Sequence, residues 1–117
     1  MGEYVYDVGF VDSVEAEDIS VGEKLKVRVS GGWPSPAWEL DHDEVEVVGD
    51  KVTVKVVGRM NPKVIAPTVI EPFEHVVEVE GLSAGVYTVE AVGRGENQTV
   101  QVTVHPVKEK RESPEQF

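Results

Sequence analysis

The chain has no cysteine among its 117 residues. Disulfide frameworks, thiolate-bound metals and cysteine nucleophiles are therefore excluded, including the cysteine-dependent copper site of cupredoxin-like sandwiches. Leucine and isoleucine are scarce, at three each, and no stretch sustains a 3.6-residue apolar period. No helix longer than a turn is predicted. No apolar run approaches the ~20 residues of a membrane-spanning helix, and no segment reads as a signal peptide. There is no glycine-rich phosphate loop, and none of the serines sits in a nucleophile elbow or beside a histidine in sequence. A serine nucleophile needs a base and an orienting carboxylate, so no catalytic residue is assigned and the chain is not expected to be an enzyme.

Valine is abundant instead, at 26 residues. Its β-branched side chain is stiff at χ1 and packs well on a pleated surface, which points to an all-β protein. The formal net charge is −11, from 22 acids against 11 bases. Such a surface repels phosphate backbones and anionic lipid, so nucleic acid and membrane surfaces are not expected as partners, and without a long apolar run neither is membrane insertion. The last ten residues, KEKRESPEQF, balance their charges and are poor in apolar side chains. They are expected to form a disordered tail over 108–117, after one domain over 1–107.

Alternation of apolar and polar residues, the mark of half-buried strands, runs through the chain. YVYDVGFVDSVEAE is one long strand bent at Gly9. EKLKVRVSG places Leu25, Val27 and Val29 on one face. DEVEVVGDKVTVKVVG holds two strands joined at Gly49-Asp50, a dipeptide suited to a tight hairpin turn. FEHVVEVEG carries Phe73, His75, Val77 and Val79 on one face, and GVYTVEAVGRGENQTVQVTVHP is a closing hairpin. Six to eight strands of this spacing imply a sandwich or a barrel.

In GLSAGVYTV, Leu82, Gly85 and Tyr87 resemble the tyrosine corner of immunoglobulin-like domains. There Leu82 plugs the end of the core, Gly85 supplies a turn and Tyr87 bonds back to the corner. Phe73-Glu74 followed by Gly81-Leu82-x-x-Gly85-x-Tyr87-x-Val89 resembles a group of uncharacterised prokaryotic immunoglobulin-like domains found in lipoproteins and secreted proteins. The resemblance implies an antiparallel β-sandwich of about seven strands and an extracytoplasmic location, and brings no activity with it.

Functional candidates lie in two proline-bearing connections. GGWPSPAWELDHDE, residues 31–44, holds both tryptophans. If residues 37–41 form a strand, Trp38 and Leu40 share a face. Trp38 is expected in the core, Trp33 is expected partly exposed at the sandwich end, and DHDE is expected to turn into the next hairpin. The segment 59–72 carries three prolines and several apolar residues, an unusual composition for a loop, with one short strand expected near 63–66 or 68–71. The leading reading is a monomeric module without cofactor that binds a protein partner through Trp33, Pro34, Pro36, Met60, Val64, Ile65 and Ile70. Inhibitors resembling chagasin use loops of such a domain in this way. The alternative is a small-ligand or divalent-cation site, with Glu39, Asp41, Asp43 and Glu44 offering the hard oxygen ligands that Ca²⁺ prefers.

Overall fold

A computed structural model describes residues 3–107, and the expectation for 108–117 lies outside the described residues. Nine strands form, and no helix occurs among the described residues. They are β1 (Val5–Val8), β2 (Phe10–Glu15), β3 (Ile19–Ser20), β4 (Leu25–Trp33), β5 (Trp38–Val48), β6 (Lys51–Met60), β7 (Glu71–Val79), β8 (Gly85–Ala91) and β9 (Gln98–His105).

They pack as a β-sandwich. One sheet runs β1-β6-β8-β9-β3, with β5 on the other edge of β6, and the second sheet is β2-β4-β7. The count exceeds seven partly because the first predicted strand divides at Gly9. Its first half, β1, pairs with β6, and its second half, β2, pairs with β4 in the opposite sheet. The pairing is antiparallel except for β6 with β8 and β3 with β9, which are parallel.

Valine builds the core. Val27, Val52, Val54, Val77 and Val89 are fully buried between the sheets, with Leu25, Val29, Val102 and Val104 beside them. Leu25, Val27, Val29 and Val77 lie on the faces that the alternation predicts, because period-two alternation sends every second side chain inward. The β5–β6 hairpin closes through the Val48–Lys51 pair, leaving Gly49-Asp50 as the two-residue turn. Gly49 has φ +60° and no described non-glycine residue has a positive φ. That is the pattern of a turn with glycine at its first central position.

The corner also forms. The Tyr87 hydroxyl donates to the Ser83 carbonyl at 2.8 Å, and both Tyr87 and Leu82 are buried. The bond ties the start of β8 to the chain that approaches it.

Two expectations about the 31–44 stretch are corrected. Trp33 is not partly exposed: it is buried, at 4% exposure, like Trp38 at 8%. DHDE is not a turn. It lies within the eleven-residue strand β5, where the register shifts between Leu40 and His42. This bulge inserts one extra residue, Asp41, and lets the strand continue with its alternation restored.

Trp33 is buried because distant glycines leave room for it. A Cβ added at Gly58 would lie 2.7 Å from two carbons of the Trp33 ring, and one added at Gly9 would lie 2.8 Å from a third. The indole stacks on Phe73, at 4.5 Å between ring centroids, and lies nearly parallel to Trp38 at 6.2 Å. The Arg94 guanidinium covers the Trp38 ring at 5.1 Å. Arg94 also donates from Nε to the Val8 carbonyl at 2.8 Å, so it staples β1 over the aromatic cluster.

Candidate functional site

Strand register gathers one end of the molecule around Met60, which pairs with Val5 on one side and Trp38 on the other, while Trp33 pairs with Glu71. The connections 34–37 and 61–70 and the start of β1 therefore meet at this end.

The longer connection covers only residues 61–70, because Arg59 and Met60 complete β6 and Glu71 and Pro72 begin β7. No strand forms within it. Pro62 and Pro67 lack the N–H groups that pairing requires. The loop opens with a turn in which Val64 N donates to the Asn61 carbonyl at 3.0 Å and Lys63 N donates to Asn61 Oδ1 at 3.0 Å. Proline at the second turn position pre-sets φ for this geometry. The turn projects Ile65 into solvent at 98% exposure, and Val64, Val69 and Ile70 are each more than half exposed. Ile70 is anchored at its base, since its Cγ2 methyl fills the space that a side chain at Gly32 would take.

The shorter connection is a tight turn. Trp38 N donates to the Ser35 carbonyl and Ala37 N to Ser35 Oγ, both at 3.2 Å. Pro36 is exposed and Pro34 half-buried. Of the residues proposed from sequence, then, Pro36, Val64, Ile65 and Ile70 reach the surface fully, and Pro34 in part. Trp33 is a core residue. Met60 is partly buried and packs against the core. Sequence reasoning missed Tyr4, Val5, Tyr6, Phe10 and Leu40, which are exposed at the same end. The available signal was the apolar density of YVY and GF in the opening strand.

The four acids offered as cation ligands do not converge. Arg59 Nε donates to Glu39 at 2.7 Å and its Nη1 lies 3.7 Å from Asp41, while its guanidinium sits 4.5 Å over the Tyr4 ring. His42 lies between two carboxylates, with Nε2 2.8 Å from Glu44 and Nδ1 2.6 Å from Asp41. Asp43 turns to the inner side of β5 and meets His75 Nε2 at 2.7 Å, bridging the two sheets at their shared edge. Among the described residues, no group of three or more His, Cys, Asp or Glu side chains is arranged to hold a metal ion.

This arrangement gives a pH signature. Donation of the ring N–H groups to Glu44 and then to Asp41 raises the His42 pKa above its ordinary value of 6.5. The folded state therefore favours the imidazolium. Its contribution to stability is complete below the ordinary pKa and is lost as pH rises through the raised folded value. An NMR titration should place the His42 ring-proton midpoint above 6.5. Glu44→Gln should move it down. An unmoved midpoint in that variant would contradict the assigned cause.

A shallow cleft of about 530 Å³ lies on the outer face of the β2-β4-β7 sheet, bordered by Glu15, Ile19, Lys26 and Arg28. On this face Arg28 pairs with Glu74, and Lys24 with Glu78 and Glu80.

Residues 27–106 match the model of the ORF11 beta-sandwich domain. No curated protein and no solved structure matches the chain.

Proposed function

The chain belongs to the ORF11 beta-sandwich domain family, and we propose that it is a non-enzymatic, immunoglobulin-like module that binds a protein through the 61–70 loop and the adjoining strand ends. The exposure of Ile65, 98% on a proline-stiffened loop with Val64 and Ile70 beside it, carries this reading. Apolar side chains grouped on a constrained loop lose little entropy on docking and supply the desolvated centre that protein interfaces use. The tyrosine corner supports the immunoglobulin-like assignment.

The test compares proteins captured by the wild-type chain, by Ile65→Asp and by Val86→Asp, the last a control at an exposed position of β8. Both variants should melt within a few degrees of wild type, because exposed substitutions change stability by roughly 0.5 kcal/mol or less. Ile65→Asp should lose the partner and Val86→Asp should keep it. Full retention by Ile65→Asp would sink the loop reading.

A further inference from the structure

Strand β5 forms ten residue pairs with β6 and none with any other strand among the described residues, so its outer edge is open. In an antiparallel strand every second residue directs its N–H and C=O away from the paired neighbour, so this edge presents unused donors and acceptors. Natural sheets protect such edges with bulges, inward-pointing charges, proline or lysine. The first half of β5 has two of these devices. The bulge lies between Leu40 and His42, and Asp43 points inward opposite Val56, held by His75.

The second half has no bulge, inward-pointing charge, proline or lysine, and its only edge charges are Glu44 and Glu46. Val45 and Val47 lie opposite the buried Val54 and Val52, on the inner face. The opposite sheet ends at β7 and does not cover them, so they are 38% and 44% exposed, and Val48 is 65% exposed. The charges that β5 itself carries here are both negative. Glu44 and Glu46 lie on the outer face, opposite Lys55 and Thr53.

We infer that Val45–Val48 is a strand-accepting edge whose occupant is an extended segment of a partner protein with alternating apolar and basic residues. The apolar side chains would lie beside Val45 and Val47, and the basic ones beside Glu44 and Glu46. Cross-strand pairs of both kinds stabilise an added strand, and main-chain bonds supply the affinity. Charge disfavours a second copy of this chain as the occupant. A twofold axis at Val45 would set Glu44 against Glu46, and one at Glu46 would set that carboxylate against itself, in chains that each carry −11. Like charges directly opposite are destabilising. This edge lies at the hairpin-turn end, remote from the 61–70 loop, so it stands independently of the function proposed above.

The test titrates the full chain with Lys-Val-Lys-Val-Lys-Val and, as charge control, Glu-Val-Glu-Val-Glu-Val, followed by amide NMR shifts and hydrogen exchange. The basic peptide should shift and protect amides within Val45–Val48, and the acidic peptide should leave them unchanged. Glu44→Lys with Glu46→Lys should weaken the basic peptide roughly tenfold or more. Each of three results would overturn the proposal: shifts confined to other strands, equal binding of both peptides, or a chain that dimerises through this edge in sedimentation analysis.

Discussion

Trp33→Ala should destabilise the sandwich by about 3–5 kcal/mol, the usual range for deleting a buried tryptophan side chain. The indole is 4% exposed and fills a slot between the backbones at Gly9 and Gly58, with Phe73 and Trp38 against its faces. Those neighbours belong to both sheets and to the crossover between β1 and β2. The cavity cannot close by moving one side chain, because two of its walls are glycine backbone. Domains of this size have roughly 5–15 kcal/mol to lose, so the variant would keep only part of its stability. Urea denaturation should show a large fall in midpoint with little change in slope. A fall of under about 1 kcal/mol would mean that the slot collapses, and would contradict the packing role given to Trp33.

Gly58→Ala should destabilise by about 1–3 kcal/mol, the range for forcing extra atoms into a packed core. Replacing glycine in a strand normally helps, by roughly 0.5–1 kcal/mol, because alanine restricts the unfolded chain. Here the steric term wins. The new methyl would stand 2.7 Å from two ring carbons of Trp33 and 3.0 Å from the Glu39 carbonyl oxygen. The ring is rigid and itself packed, so it cannot swing away as a flexible side chain would. The two substitutions are predicted to couple. In the Trp33→Ala background the methyl enters the vacated slot, and Gly58→Ala should become neutral or stabilising. A double-mutant cycle measures this directly. Simple additivity would show that Gly58 and Trp33 do not share the contact described here.

The candidate site was legible in part. Pro36, Val64, Ile65 and Ile70 could be nominated from sequence because apolar residues beside prolines lack the alternation that buries them in strands. Met60 and Trp33 were nominated on the same grounds, but β6 extends through Met60 and the core takes Trp33. The acids at 39, 41, 43 and 44 suggest a ligand set because four hard oxygen donors fall within six residues. A turn would gather them. The bulged strand turns Asp43 inward to His75 and leaves Glu39, Asp41 and Glu44 outside, where Arg59 and His42 pair with them. The exposed Tyr4, Tyr6 and Phe10 were hidden because alternation identifies a strand without saying which of its faces will be covered.

By itself the sequence determined the all-β class, the apolar faces of the strands at 25–29 and 73–79, the hairpin turn at Gly49-Asp50, a bend at Gly9 and the Tyr87 corner. All of these follow from local rules, since side chains alternate with period two and tight turns require particular residues. Tertiary structure alone decided that Trp33 is buried, that β5 continues through Asp41, and that β5 overhangs the narrower sheet with Val45 and Val47 uncovered. Each of these depends on what lies across the sandwich. The slot for Trp33 is set by glycines 24 positions before it and 25 after it in the chain. The overhang is set by the number of strands in the opposite sheet. Neither leaves a mark within the segment it governs.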